Sequence, residues 1–299
     1  MTLDKITIIV NPTAGKGKCA RLWPEVDKYL NELGILFDVR FTTKKGDAIR
    51  LASEAISLGA QCILAVGGDG TLNEVVNGIS DSPVDVGVIP TGSGNDFVRT
   101  LGLKPDDWRG ACQIIAAGHT KSIDLGRVNG CRFINVAGVG FDAAVANCAN
   151  VWAKQRFPDS IAYIAALLKV LAEYQPADIT IDLDDQTFSG RGWLVAVANA
   201  QYFGRGMLIA PNASTNDGLF DVCILGDLSK GGFLQAFPSV FSGKHLQHPA
   251  IHLYRSRQVK VSASVPLLVQ ADGELIGQTP IDFGILPHRL RVFARIIEA

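Results

Sequence analysis

The chain has 299 residues, 47% of them hydrophobic and 19% charged, which fits a globular protein with a large core and excludes a disordered, charge-rich chain. Its 28 Lys and Arg nearly balance 29 Asp and Glu, so the electrostatic footprint of a nucleic-acid binder is missing and any anionic ligand must be held locally. No apolar run reaches the ~18 to 20 residues that span a bilayer; the nearest, Ile161 to Ala172, is interrupted by Lys169.

Met1 to Val10, with Asp4 and Lys5, reads as a short strand rather than a targeting signal. The first third then alternates strands with amphipathic helices: strand Ile6 to Val10, helix near Ala20 to Leu33, strand Leu36 to Phe41, helix near Asp47 to Ser57, strand Cys62 to Val66. That order predicts a parallel sheet covered by helices. Gly34 and Gly59 stand just past two of the helices, where a left-handed C-cap is wanted. Strand Val84 to Pro90, a helix near Asp106 to Ala117 and strand Ile123 to Val128 complete this part.

After the hairpin signal Asn129-Gly130 the texture changes. Strands are expected at Arg132 to Val136, Ala177 to Leu183, Gly192 to Ala198, Leu219 to Leu225, Val259 to Ser262 and Leu267 to Gln270, with helices near Asp142 to Arg156 and Ser160 to Tyr174. A boundary near residue 128 and a mainly antiparallel second domain follow. The six cysteines, Cys19, Cys62, Cys112, Cys131, Cys148 and Cys223, form no C-x-x-C pair and read as reduced, mostly core thiols of a cytoplasmic protein.

The clearest chemical signal is Gly67-Gly68-Asp69-Gly70-Thr71, which follows an apolar strand and opens a helix whose Thr71 and Glu74 are expected to form a capping box. Glycines let the main chain approach a ligand, and the helix start favours an anion. Asp69 would repel phosphates unless a divalent cation lay between, which argues for a magnesium-nucleotide complex. Pro90-Thr91-Gly92-Ser93-Gly94-Asn95-Asp96 is a second turn of the same kind, and in open parallel sheets ligands sit beyond the carboxyl ends of strands, where both turns fall. The loop Asn11-Pro12-Thr13-Ala14-Gly15-Lys16-Gly17-Lys18 is a third, without Walker A spacing.

In this order and spacing, Asn11 to Gly15, Gly67 to Thr71 and Pro90 to Asp96 resemble the catalytic domain of the diacylglycerol kinase and related lipid kinase family. Asn216-Asp217-Gly218 and Asp272-Gly273-Glu274 extend the resemblance to that family's bacterial members over nearly the whole chain. Sphingosine and ceramide kinases share the core pattern. The resemblance implies an α/β fold with a Rossmann-like parallel-sheet nucleotide-binding domain (1–128) and a β-sandwich-like second domain (129–299), with the active site in the cleft between them. The last strand has room to return to the first domain.

The resemblance further implies that Asn11, Pro12, Thr13, Ala14, Gly15, Thr42, Gly67, Gly68, Asp69, Gly70, Thr71, Leu72, Asn73 and Ser93 contact ATP, Ser93 keeping a hydroxyl where threonine is common. Asp69, Asp96 and Asp124 are expected as an acidic network near the nucleotide and its magnesium. Ser214, Asp217 and Leu219 match a structural magnesium site, Asp217 by its side chain and the others by backbone carbonyls. Glu274 matches the general base that takes the proton of a lipid hydroxyl, with Asp69 its catalytic companion. On the residues alone, Asp272-Gly273-Glu274 reads as a β-turn with exposed acids; only the resemblance gives Glu274 its role.

The expected activity is ATP- and magnesium-dependent phosphorylation of a membrane lipid, diacylglycerol to phosphatidic acid first, with phosphatidylglycerol or a sphingoid lipid behind it. The rivals are an NAD kinase, whose fold and glycine-aspartate-glycine motif are related, and a non-catalytic lipid- or nucleotide-binding regulator. The Ser93 to Asp96 and Asp272 to Glu274 motifs favour the lipid kinase. Transient contact with the inner membrane face is expected, no nucleic acid, and a homodimer is left open. Trp152, Lys154, Arg156 and Phe157 combine aromatic and basic character suited to that contact, whereas Ile161 to Tyr174 reads as a core helix. His245, His248 and His252 read as a surface loop, since Pro249 breaks any helix that would align them on a metal.

Overall fold

Strands β1 (Ile6–Val10) and β3 (Cys62–Gly67) are buried along their whole length, as near-continuous apolar runs of a parallel sheet should be. The structure is a computed structural model that describes residues 5–153, 156–157 and 159–295. The chain divides into two compact units, the first comprising Met1–Leu125, Gly204–Gly206 and Pro287–Ala299, the second Gly126–Phe203 and Met207–Leu286.

The first unit alternates β1, α1 (Ala14–Glu32), β2 (Phe37–Phe41), α2 (Asp47–Ser57), β3, α3 (Asp69–Ile79), β4 (Asp85–Pro90), α4 (Asp96–Thr100), α5 (Trp108–Ala117) and the start of β5 (Thr120–Val128). The strands are parallel in the order β2-β1-β3-β4, with Ile6 opposite both Phe37 and Cys62, and Val66 opposite Ile89. Ile8, Val10, Leu64, Val66 and Ile89 pack against Val26 and Leu30 of α1 and Cys112 and Ile115 of α5. Gly34 and Gly59 take left-handed φ of 74° and 83° just past α1 and α2, as their places in the sequence predict.

The start of α1 agrees with its expected place once its irregular first turn is set aside, and the start of α3 needs correction. Helix α1 begins at Ala14, and Gly15, Lys16 and Gly17 in its first turn are left-handed (φ 58°, 59° and 78°), so the regular helix starts beyond them. Helix α3 has no capping box: its N-cap is Gly68 and no side chain caps it. Thr71 is buried and its Oγ1 accepts from Asn11 Nδ2 at 3.0 Å. The Glu74 carboxylate instead accepts from the Gly46 and Ala48 amides at 3.0 and 3.1 Å, serving the start of α2, the neighbouring helix. The spacing suits a capping box, but the tertiary partner offers Glu74 two free amides where its own helix offers one.

The second unit continues with β6 (Cys131–Phe133), β7 (Val136–Gly140), α6 (Phe141–Cys148), a π-turn (Ala149–Ala153), α7 (Asp159–Glu173), β8 (Ala177–Asp182), β9 (Thr187–Ala198), β10 (Tyr202–Phe203), β11 (Met207–Leu208) and β12 (Phe220–Gly226). Then come α8 (Lys230–Ala236), two 3-10 turns (Phe237–Ser242 and Lys244–Gln247), β13 (Ile251–Ser256), β14 (Gln258–Ala263), β15 (Leu268–Ala271), β16 (Glu274–Gln278) and β17 (Ile281–Phe293). Within this unit the pairings are antiparallel, β9 bonding to β7, β8 and β12, and β15 to β7 and β16. Phe133 stacks on Phe220 at 5.7 Å and meets Phe283 edge-on at 6.4 Å in its main core. The unit is β-sandwich-like, and the fold as a whole is α/β.

The length of strand β17 exceeds anything the sequence pattern predicts. Its last part belongs to the first unit, where Arg291 and Val292 pair in parallel with Asp85 and Val86 of β4. His245 also departs from expectation: it is buried, and its Nε2 lies 3.0 Å from the Ile209 carbonyl, while His252 sits on β13. Trp152 and Phe157 pack on each other at 5.6 Å with Arg156 over the indole; Lys154 lies outside the described residues. Among the described residues no helix is long and apolar enough to cross a membrane.

Two measurements test these helix starts. Glu74→Ala is expected to lower stability by about 1 to 2 kcal/mol, the cost of a lost cap, read from the urea midpoint. Bonds from the Thr43 hydroxyl and amide depress the Asp47 carboxyl from 3.8 to about 2. A depressed folded-state value adds stability that is present above about pH 4 and lost as pH falls through about 2. The melting difference between wild type and Asp47→Asn should therefore be full at pH 7 and shrink across that window; a difference constant to pH 2 would contradict it.

Candidate active-site elements

Three loops at the carboxyl ends of β1, β3 and β4 meet in the first unit because glycines let their backbones touch. A Cβ on Gly15 would fall 2.3 Å from the Thr91 carbonyl oxygen, and one on Gly92 would fall 2.4 Å from the α-carbon of Gly68. The Gly67 carbonyl accepts from the Thr91 and Gly92 amides at 2.9 and 3.1 Å. Asn11 joins the first loop to the second through Thr71, while its Oδ1 accepts from the Thr13 amide and hydroxyl.

Asp69 fastens the second turn to the third. Its Oδ2 accepts from the Asp96 amide at 3.0 Å and its Oδ1 from the Phe97 amide at 3.1 Å, which places its charge on the amino end of α4. Asp96 itself is buried; its Oδ2 accepts from the Arg205 amide at 2.8 Å, and its Oδ1 has no hydrogen-bond partner, with Arg99 Nε 3.6 Å away. Burial and the neighbouring Asp69 charge push its carboxyl up to about 6. Asp124 is fully buried and its Oδ1 accepts from the His288 amide at 2.7 Å. Among the described residues no three His, Cys, Asp or Glu side chains group as a metal site.

The other residues expected to contact a nucleotide differ in exposure. Thr13, Gly70 and Ser93 are exposed and Thr42, at the end of β2, is half-buried, whereas the Leu72 side chain is 1% exposed and belongs to the core. Only the Leu72 backbone is left to meet a ligand.

Glu274 opens β16 in the second unit, directly after a turn held from two directions. The Asp272 carboxylate accepts from the Ile134 and Asn135 amides at 2.8 and 2.9 Å. The Gly273 amide donates to Gln270 Oε1 at 2.7 Å, and Gln270 Nε2 donates to Asp142 Oδ2 at 3.0 Å. Asp272 and Gly273 adopt φ of 46° and 87°, so Asp272, a residue tolerant of the left-handed region, and glycine suit the turn. No motif in the sequence marks Asp142 or Gln270. The one signal for Asp142 is Gly138: a Cβ there would fall 1.6 Å from Asp142 Oδ2, so the carboxylate rests on bare backbone.

The Ser214, Asp217 and Leu219 set does not fit a magnesium ion. Asp217 Oδ1 accepts from the Leu219 amide at 3.1 Å, and its Oδ2 is taken by the Arg255 guanidinium, which also lies 3.9 Å from Asp221. A guanidinium therefore stands where the cation was expected. A chelator is expected to leave the melting temperature unchanged; a fall of several degrees in EDTA, restored by magnesium, would show a resident ion.

Glycine turns at the carboxyl ends of parallel strands, set beside paired carboxylates, are where α/β proteins commonly bind phosphate groups. Residues 5–128 match the diacylglycerol kinase catalytic domain, and residues 135–294 match the YegS C-terminal NAD kinase beta sandwich-like domain. A diacylglycerol kinase of Bacillus subtilis (strain 168) is 32% identical over 97% of this chain and 96% of its own length. That of Staphylococcus saprophyticus is also 32% identical, over 96% and 94%. A crystal structure of a diacylglycerol kinase from Bacillus anthracis str. Sterne superposes with a TM-score of 0.77 over 99% and 98% of the two chains; at 22% identity that likeness shows the fold alone. The chain belongs to the diacylglycerol kinase family.

Proposed function

We propose that this chain transfers the γ-phosphoryl group of ATP to the hydroxyl of a membrane lipid, diacylglycerol first, giving phosphatidic acid and ADP. The observation that carries the reading is the trio of glycine-rich loops locked together beside Asp69 and Asp96. Two adjacent carboxylates, one with a buried unpartnered oxygen and a raised pKa, form a cation-seeking pair. Asp69 and Asp96 would hold a magnesium ion together with the nucleotide phosphates, as that ion is usually held by one or two carboxylates plus phosphate oxygens. When bound, magnesium shields charge on the migrating phosphoryl group. The loops at Asn11 to Gly15, Gly67 to Thr71 and Ser93 would cradle the phosphates with backbone amides.

Glu274 is the proposed base. Phosphoryl transfer asks little covalent chemistry of a protein, so positioning and charge decide the rate. The acceptor hydroxyl loses its proton to the Glu274 carboxylate as its oxygen attacks, and the double clamp at Asp272 and Gln270 fixes the turn that presents this carboxylate. The reading extends to transient membrane contact, and the exposed Phe157 and Arg156 next to Trp152 support it.

Phosphate transfer from labelled ATP with magnesium to diacylglycerol, phosphatidylglycerol, sphingosine, ceramide and NAD in mixed micelles is expected to label diacylglycerol most strongly; labelling of NAD alone would overturn the lipid acceptor. Glu274→Gln is expected to lower kcat by about 10² to 10⁴ while nucleotide affinity stays within twofold to threefold. Wild-type turnover in that variant would remove Glu274 from the reaction.

A further inference from the structure

Gly204, Arg205 and Gly206 join β10 to β11 and belong to the first unit. All three are left-handed, with φ of 59°, 70° and 99°. Glycine takes that conformation freely, whereas in arginine it crowds the Cβ against a carbonyl oxygen, so the middle residue is held at a cost that glycine would avoid. Residues kept in such conformations cluster at active sites and ligand clamps. The tip is held by Asp96, whose Oδ2 accepts from the Arg205 amide at 2.8 Å. The Arg205 side chain then runs beside the turn after β4: a Cβ on Gly94 would fall 3.6 Å from Arg205 Cγ and 3.1 Å from Asp69 Oδ2. The arginine stem and the Asp69 carboxylate thus flank one glycine of the proposed phosphate cradle.

The carboxylates around Gly94 do not take this guanidinium. Both oxygens of Asp69 accept from the Asp96 and Phe97 amides, and the cation beside the unpartnered oxygen of Asp96 is Arg99, at 3.6 Å. Arg99 is in turn covered by the tip, since a Cβ on Gly206 would fall 3.4 Å from its guanidinium carbon. Arg205 is exposed, and among the described residues its guanidinium has no hydrogen bond or ion pair. Of the two arginines at this turn, one is engaged by Asp96 and the other is left to meet a mobile anion. A planar guanidinium matches phosphate oxygens two at a time. We propose that Arg205 binds phosphate oxygens of the nucleotide at the glycine turn beside Asp69 and Asp96. The inference rests on the nucleotide site of the proposed function and adds to it a residue 109 positions beyond Asp96 that no motif marks.

The test is titration calorimetry of the full chain with magnesium and ATP, with adenosine measured by its displacement of ATP. Arg205→Gly removes the guanidinium and relaxes the backbone, so this variant is expected to melt at or above the wild-type temperature. It should bind ATP at least tenfold more weakly, within the range of hydrogen bonds to a charged group, and adenosine within twofold of the wild type. Arg205→Lys, which keeps the charge and loses the fork, should fall between the two. Unchanged ATP affinity in Arg205→Gly overturns the proposal, and so does an equal loss for ATP and adenosine, the mark of a structural role. The kinase assay separates this inference from the proposed function. Lipid phosphorylation whose kcat and KM for ATP are unmoved by Arg205→Gly sinks the role of Arg205 and leaves the kinase standing. ATP affinity that depends on Arg205, in a protein that phosphorylates no lipid, sinks the kinase and leaves the phosphate contact.

Discussion

The first unit depends on the two hydrogen bonds that the Asp69 carboxylate accepts from the Asp96 and Phe97 amides. They join the turn after β3 to the turn after β4, and they do so at the amino end of a helix, where a negative charge is favoured. Between the same two turns Gly68 and Gly92 touch so closely that Gly92 has no room for a side chain. An Asp69 that anchors its neighbour's helix is also fixed in place as a charge. The same carboxylate therefore shapes the surface proposed to face phosphate and, together with burial, pushes up the pKa of Asp96.

The device recurs through the chain. Asp272 accepts from the amides of Ile134 and Asn135, Asp47 from those of Thr43 and Lys44, Asp184 from those of Arg257 and Gln258, and Glu74 from those of Gly46 and Ala48. Each satisfies two or three backbone donors with one carboxyl side chain, and charge-assisted bonds to a carboxylate are stronger than neutral ones. In both units a carboxylate used this way stands beside one proposed to do chemistry: Asp69 holds the amide of Asp96, and Asp272 holds the turn of Glu274.

This also explains which parts were legible in the sequence. Strands β1, β3 and β4 and helix α2 could be read because apolar periodicity and glycine stops are local signals, and β1 and α2 fall at the predicted residues. Carboxylate-to-amide bonds are not local: Glu74 serves a helix 26 residues earlier, and nothing in Thr71-x-x-Glu74 distinguishes that from a capping box. The long strand β17 contains Pro287, His288 and Arg289 in an exposed stretch at its middle, which masks its alternation. Glu274 was visible only through resemblance to a family, and Asp142 and Gln270, which no motif marks, only through their contacts.

The Asp217 region shows the limit of carrying residues over from relatives. A motif match transfers the ligand side chain, but a cation site is defined as much by the charges around it. Asp217 and Asp221 lie beside one guanidinium, and Arg255 reaches both from the neighbouring strand β13. A planar guanidinium can satisfy carboxylate oxygens in directions that a small octahedral ion cannot, and needs no dehydration of a divalent ion. One arginine across a β-ladder thus offers the electrostatic support that the motif alone would assign to magnesium.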